Sequence, residues 1–403
     1  MHVLIADKFE QSGIDALQHL GCKVTNEPSA DVDTLVDFVK RHDPDVLIVR
    51  STKVKAPVFE AANKLSLVVR AGAGVDNIDV DAASASGISV ANCPGKNAIA
   101  VAELAWGLIL AADRLIPEQT ADLRAGAWAK KHYAKQARGL FGRTLGVVGI
   151  GNIGKEIIKR AHAFGMPVVA WSRSLTDADA KAMGAIRVAN VLDVARMADV
   201  VSINVAATPE TKSLVSKDFL DAMKAGATLI NTARGSVVDE DALAEAIKTK
   251  HIRAGLDVWA NQPTPDDKTS DLPLVKLEGV VGTHHCGAST DQAQQAIADE
   301  AVRIIRAYKD TGEIPNVVNR AAKSSATRLL IVRHLNRPGV LAHVVGRLSE
   351  AKLNIEEMEN VIYSSAKAAC AKIRLDAEPE SPVITAIRTG NPNILSVDLT
   401  VIE

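Results

Sequence analysis

The stretch "LGVVGIGNIGKEI" (145–157) constrains the fold more than any other part of the chain. A strand-like apolar run leads into Gly149, Gly151 and Gly154 at G-x-G-x-x-G spacing, and a helical pattern follows. In that setting each glycine has its own task. The first permits a tight turn, the second lets backbone approach a pyrophosphate, and the third lets helix press on strand. The helix start at Asn152 and Ile153 then offers free N–H groups and a positive dipole end to phosphates. A dinucleotide-binding unit is expected here.

The same rhythm runs through most of the 403 residues. Strand candidates at 2–6, 45–49, 66–70 and 88–92 alternate with helix-like segments at 12–20 and 31–42. A second series follows at 145–149, 168–172, 199–205, 228–232, 254–258 and 280–284. Nearly all-apolar runs of this kind suit parallel strands covered on both faces. The alternation predicts α/β architecture with two doubly wound lobes. A helical pattern spans about 291–309, and periodicity is lost across 311–328, which reads as a linker. Beyond it the order is βαββαβ: a strand at 328–334, a helix at 338–351, strands at 355–365 and 368–376, a helix near 380–388 and a strand at 394–402.

Composition excludes several partners. With 47 basic and 48 acidic residues and a net charge of −1, nothing favours nucleic acid or an anionic membrane. Aromatic residues make up only 3%, too few for base-stacking platforms. Cys22, Cys93, Cys286 and Cys370 are scattered with no C-x-x-C pair, so they read as reduced thiols of a cytosolic protein. The opening residues show no secretory signal pattern. The apolar stretch 98–113 contains Glu103 and is shorter than the ~20 residues a bilayer span needs, so a buried helix is expected.

The glycine fingerprint expects an acidic residue at the end of its second strand, where it would hold a ribose hydroxyl. Here Ser172 and Arg173 stand instead. Without a carboxylate to repel it, a 2′-phosphate could pair with Arg173, so NADP is open beside NAD. The alternative is an Arg173 that stacks on adenine or faces solvent.

Further motifs follow in order: "RAGAGVDNID" (70–79), "NTARGSVVDEDAL" (231–243), "AGLDVWANQPTP" (254–265) and "VVGTHHCGAST" (280–290). With the glycine loop, these resemble the D-isomer-specific 2-hydroxyacid dehydrogenase family over about 1–317. The segment "RHLNRPGVLAHVVGRLSEAKLNIEEM" (333–358) is similar to ACT domains, in particular serine-binding ones. The resemblance implies a substrate-binding lobe of 1–96 and 288–317, a dinucleotide lobe of 97–287 inserted in it, a linker at 318–326 and an ACT regulatory domain at 327–403.

By that resemblance, Arg234 holds the substrate carboxylate and polarises its carbonyl, and His285 is the acid/base. Most relatives pair that histidine with a glutamate; this chain has Gln262, as formate dehydrogenases of the same superfamily do. A carboxylate would raise the histidine pKa by charge, whereas an amide can only orient the ring. His284 and Cys286 then belong to the wall of the turn, and a metal site is not expected there. Gly72, Ala73 and Gly74 would offer backbone N–H groups to the substrate carboxylate, with Arg50 on a distal phosphate. Lys53 and Lys130 read as solvated charge. The cofactor would lie against Gly149, Gly151, Asn152, Ile153, Gly154, Ser172, Arg173, Val205, Thr232, Ala233, Asp257, Gly287 and Ala288.

In the ACT segment, His334, Asn336 and Asn354 match serine-contact positions, and the other reading of that segment is subunit contact alone. The expected activity is hydride transfer between a nicotinamide cofactor and a D-2-hydroxy acid, with D-3-phosphoglycerate at the head of L-serine synthesis as leading substrate. An NADP-preferring hydroxypyruvate or glyoxylate reductase is the alternative, and a non-catalytic dinucleotide or amino-acid sensor the remote one. A cytoplasmic homodimer or homotetramer is implied.

Overall fold

A computed structural model describes residues 1–263, 267, 269–321 and 324–402, with only the backbone of Val32. The last two residues of the "AGLDVWANQPTP" motif lie outside the described residues. The chain divides into two compact units, Met1–Asn319 and Arg320–Glu403.

The first unit holds two parallel sheets. Strands β1 (His2–Ile5), β2 (Lys23–Asn26), β3 (Val46–Val49), β4 (Leu67–Arg70) and β5 (Ser89–Asn92) form one, in the order β2-β1-β3-β4-β5. The second comprises β6 (Leu145–Val148), β7 (Val168–Trp171), β8 (Ala185–Arg187), β9 (Val200–Ile203), β10 (Thr228–Asn231), β11 (Arg253–Leu256) and β12 (Val280–Gly282). Its order is β12-β11-β10-β9-β6-β7-β8, also parallel. The chain runs outward from β6 to β8, then returns to lay β9 on the other side of β6. That reversal opens a crevice at the carboxyl ends of β6 and β9, where ligands settle in such sheets.

The central strands are buried on both faces, with every residue of β3, β6, β9 and β10 enclosed. Sequence patterning did not find β2 or β8. Both are edge strands, and Lys23, Asn26, Ile186 and Arg187 are exposed, so neither carries a continuous apolar run.

Two helices tie the sheets together. Helix Ala98–Arg114 buries Ala102, Ala105, Trp106, Leu108 and Ile109 in the core of the seven-stranded sheet. Helix Asp291–Thr311 returns the chain and buries Ile297, Ala301, Val302, Ile304 and Ile305 against the five-stranded one. At this junction Glu300 is 6% exposed and bonds Arg303, Asn316 and Lys96.

The expected linker starts late. Val317 bridges Ala91, Val318 N–H donates to Val90 O at 2.8 Å, and Asn319 Oδ1 accepts Val90 N–H at 2.9 Å. Val318 and Asn319 therefore belong with the first unit, because β5 is an edge strand whose backbone groups need partners.

The second unit has the predicted βαββαβ order: β13 (Arg328–Leu335), helix Val340–Glu350, β14 (Ile355–Ile362), β15 (Ala368–Leu375), helix Ser381–Thr389 and β16 (Ile394–Val401). Its strands lie antiparallel in the order β14-β15-β13-β16. Leu330, Val332, Val344, Leu348, Ala371, Ile373 and Ile387 make its core. Among the described residues no helix is long and apolar enough to cross a membrane.

Candidate active site

The glycine loop joins β6 to helix Asn152–Ala163. Gly149 has φ +95°, and a Cβ there would fall 2.6 Å from Asn204 O. A Cβ on Gly154 would meet Gly149 O at 2.3 Å, so strand and helix approach only with glycine at both. Above Gly151 nothing lies within 4 Å, which leaves room for a phosphate over the helix N-terminus. The N–H groups of Asn152, Ile153 and Gly154 belong to the first helical turn and have no carbonyl of their own helix to bond.

Two buried oxygens beside this crevice lack a protein partner: Asn204 Oδ1, just after β9, and Thr232 Oγ1, just after β10. Polar atoms orphaned in this way usually have a ligand or water to serve. An open phosphate seat with unpaired polar atoms at the strand ends fits a nucleotide. Val205 follows Asn204 on this rim, and Ala233 follows Thr232 with its N–H on Asn231 Oδ1 at 3.0 Å. Ser172 and Arg173 sit immediately beyond β7, with Arg173 exposed. Opposite charge is near: the Glu210 carboxyl is held below its usual range mainly by the Thr208 hydroxyl, with a smaller contribution from Arg173.

The turn after β12 carries His285 in a left-handed conformation, φ +52°. Asp257, 2% exposed, fixes that turn. Its Oδ1 accepts the Thr283 hydroxyl at 2.6 Å and Cys286 N–H at 2.9 Å, while Oδ2 accepts Gly287 N–H at 3.0 Å. Both oxygens of Asp257, the residue expected to face the cofactor, thus hold the histidine turn. Gly287 is buried, Ala288 accepts a bond from Gln294, and His284 and Cys286 are exposed.

His285 Nδ1 donates to Gln262 Oε1 at 2.9 Å. The loop bearing Gln262 is anchored by Glu240, whose Oε1 accepts Ala260 N–H at 2.7 Å. It lies directly on the Arg234 turn, since a Cβ on Gly235 would strike Trp259 backbone at 2.1 Å. Asn231, buried at 1% exposure, holds that turn from below through Arg234 O at 2.9 Å.

Protein atoms crowding the ring lower the His285 pKa, and the Arg234 charge lowers it further. Asp257 and Asp76 pull the other way, and Arg70 adds to the lowering. Neutral Gln262 contributes no charge to oppose them. His285 and Arg234 thus share one electrostatic neighbourhood at the cleft.

From the facing lobe come Arg50 and Arg70. Asp7 Oδ2 accepts the backbone N–H groups of Arg50, Ser51 and Thr52 at 2.7, 3.1 and 3.1 Å, fixing the loop after β3. Arg70 ends β4, its Nε is buried without a partner, and burial, then the Arg234 charge, depresses its pKa. Arg50 adds to that depression, so the Arg50 and Arg234 charges both lie within electrostatic reach of Arg70. Of the expected N–H donors, Gly72 is spent on Arg70 O at 2.8 Å, whereas Ala73 and Gly74 have no bonded acceptor among the described residues. Lys53 and Lys130 are exposed.

Sequence reading missed Arg70, Asp76, Asn204 and Asn231. Arg70, Asp76 and Asn231 lie within the family-like motifs, but only the contacts distinguish them from scaffold. Among the described residues no group of three His, Cys, Asp or Glu side chains is placed to hold a metal.

In the second unit, His334 is 1% exposed, with Nδ1 on Leu335 O at 2.8 Å and Nε2 on Asn360 Oδ1 at 3.2 Å. Asn336 Nδ2 donates to Ala366 O at 3.1 Å, at the same end of the sheet. Asn354 is elsewhere. It precedes Ile355, which pairs with Leu375, whereas His334 pairs with Ala369. The structure brings His334 and Asn336 together and leaves Asn354 at the opposite end.

Comparison with known proteins agrees with this architecture. Residues 106–287 match the model of the D-isomer specific 2-hydroxyacid dehydrogenase, NAD binding domain. The chain is 41% identical over 270 residues to hydroxypyruvate reductase of Thermotoga maritima, covering 66% of this chain and 85% of that protein. It is 36% identical over 379 residues to D-3-phosphoglycerate dehydrogenase of Methanocaldococcus jannaschii, 93% of this chain and 66% of that one, so it spans about two thirds of that relative's length. The structure of D-mandelate dehydrogenase from Rhodotorula graminis superposes with TM-score 0.71 at 28% identity, over 80% of this chain and 98% of that one. The chain belongs to the D-isomer-specific 2-hydroxyacid dehydrogenase family, and residues 106–287 are its NAD-binding part.

Proposed function

We propose that this protein interconverts D-3-phosphoglycerate and 3-phosphohydroxypyruvate with NAD, opening L-serine synthesis, and that its C-terminal unit is an ACT domain responsive to L-serine. The observation that carries the reading is the electrostatic coupling of Arg70 to Arg50 in its own lobe and to Arg234 and His285 in the other. Three cations suit a small substrate bearing both a carboxylate and a phosphate.

When bound, the nicotinamide gives or takes the hydride. Arg234 holds the carboxylate and polarises the adjacent carbonyl, aided by the Ala73 and Gly74 N–H groups. Arg50 and Arg70 meet the distal phosphate. Because His285 Nδ1–H donates to Gln262, the neutral ring turns its Nε2 lone pair outward. In oxidation Nε2 takes the hydroxyl proton; in reduction the protonated ring returns it to the carbonyl oxygen.

The effector reading needs two copies. His334 and Asn336 are separated from Asn354 by the length of β15, roughly 20 Å at the usual rise per residue. Antiparallel pairing of edge strand β14 with its counterpart would bring Asn354 of the partner subunit to His334 and Asn336. Serine bound there would act by stabilising that assembly. Relatives are named both for phosphoglycerate and for hydroxypyruvate, and Arg173 without an acid beside it favours a second reading, an NADPH-using hydroxypyruvate or glyoxylate reductase.

A steady-state matrix tests both: 3-phosphohydroxypyruvate, hydroxypyruvate, glyoxylate and 2-oxoglutarate, each with NADH and NADPH, with and without L-serine. The leading reading expects the highest kcat/KM for the phosphorylated ketone with NADH and a lower rate in serine. No turnover of that ketone removes it.

A further inference from the structure

A guanidinium has five N–H groups, and at Arg234 three are already committed. Nε and Nη2, on one edge of the fork, both donate to Asp76 Oδ2 at 2.9 and 2.7 Å. Nη1 donates to Ala233 O at 2.7 Å. The two groups left over, one on each terminal nitrogen, form the end-on fork that matches a carboxylate.

The ion pair also spans the cleft. Asp76 belongs to the loop beyond β4 and Arg234 to the turn beyond β10, so the two lobes meet through it. Gly74 makes room for it: a Cβ there would lie 2.3 Å from Arg234 Nη2 and 2.9 Å from Asp76 Oδ2. Asp76 is 59% exposed, and so open a pair adds little stability. Its consequence lies in direction. A long side chain with several rotamers is held from two sides, with one face of its fork open.

We propose that Asp76 is a positioning residue that aims Arg234 across the cleft and reserves its end-on fork for the substrate carboxylate. The inference rests on the reading of Arg234 as the carboxylate-holding group. Asp76 acts through its acceptor oxygen: an amide oxygen in the same place keeps the aim, and a methyl group loses it.

The test uses the full chain as wild type, Asp76→Asn and Asp76→Ala. Reduction of 3-phosphohydroxypyruvate and hydroxypyruvate is followed, and oxalate, a non-reacting 2-oxo acid mimic, is titrated into protein saturated with NADH by calorimetry. Asp76→Ala is expected to lose about 10–100-fold in kcat/KM, the scale of a misplaced contact, and at least tenfold in oxalate affinity. Asp76→Asn is expected to stay within a few-fold of wild type in both, with melting temperatures alike in all three. Oxalate binding by Asp76→Ala equal to wild type overturns the proposal, as does an equal loss in the Asn variant, which would assign the effect to charge. If the wild type reduces neither ketone, the functional reading falls while the oxalate comparison still decides the aim of Arg234. A wild type that binds no oxalate overturns both.

Discussion

His285 Nδ1 donates to Gln262 Oε1 across 2.9 Å, so the imidazole at the cleft is held by a neutral partner. The position is well chosen for orientation, because Gln262 sits on a loop anchored through Ala260 to Glu240 and stacked on the Arg234 turn. Electrostatically it leaves His285 exposed to Arg234, and its pKa below the ordinary histidine value.

Asp257 is predicted to matter through the turn it holds. Asp257→Ala leaves the Thr283 hydroxyl and the Cys286 and Gly287 N–H groups without their acceptor, and a left-handed His285 without its clamp. Orphaned donors of this kind cost about 1–3 kcal/mol each when buried. The expected result is a fall in melting temperature together with roughly a 100-fold loss in kcat. A variant with lowered melting temperature but wild-type kcat would show that the turn forms without it.

Cofactor choice is predicted to turn on two exposed side chains. Arg173 lies beyond β7 where an acid is usual, yet Glu210 stands within its electrostatic reach. Glu210→Gln is predicted to improve kcat/KM for NADPH several-fold while changing NADH little, and Arg173→Ala to lower NADPH use by about tenfold, the value of one charge-assisted contact. Kinetics with both cofactors check this.

Acid stability is expected to depend on Glu300. Bonds from Arg303 push its carboxyl down to about 2 against the cost of burial, with Asn316 and Lys96 assisting. A depressed carboxylate contributes stability that is fully present above its unfolded value, near 4.5, and is lost as pH falls from there toward 2. Glu300→Gln should therefore cost about 2–3 kcal/mol at neutral pH and flatten the acid limb of a denaturation–pH curve.

If serine is held between two copies, Asn336→Ala and Asn354→Ala should each abolish the serine response. Hybrids that carry one mutation per protomer would then keep one intact site, and half the inhibition should return. No recovery in the hybrids would place all contacts within one chain.

The glycine loop, the central strands and the βαββαβ order were legible because buried parallel strands and amphipathic helices leave periodic apolar runs. Edge strands β2 and β8 were not, since exposed Lys23 and Arg187 break the run. The histidine–glutamine pairing was legible as a departure from a family pattern. Asp76 and Arg70 were not: one bonds Arg234, 158 residues away, and the other is marked by a buried, unpartnered Nε, and neither relation leaves a local signature. Asn354 was grouped with His334 by motif, and only strand register separates them.

The most direct measurement is the pH dependence of kcat/KM for 3-phosphohydroxypyruvate reduction, in wild type and Gln262→Glu. In the proposed mechanism reduction needs protonated His285, so its rate is predicted to fall as pH rises through the His285 pKa. Since that pKa is lowered in wild type, the fall should begin on the acid side of 6.5. A glutamate would stabilise the imidazolium and carry the limb toward alkaline pH by about one unit or more. Limbs that coincide in the two proteins would contradict His285 as the proton donor held by Gln262.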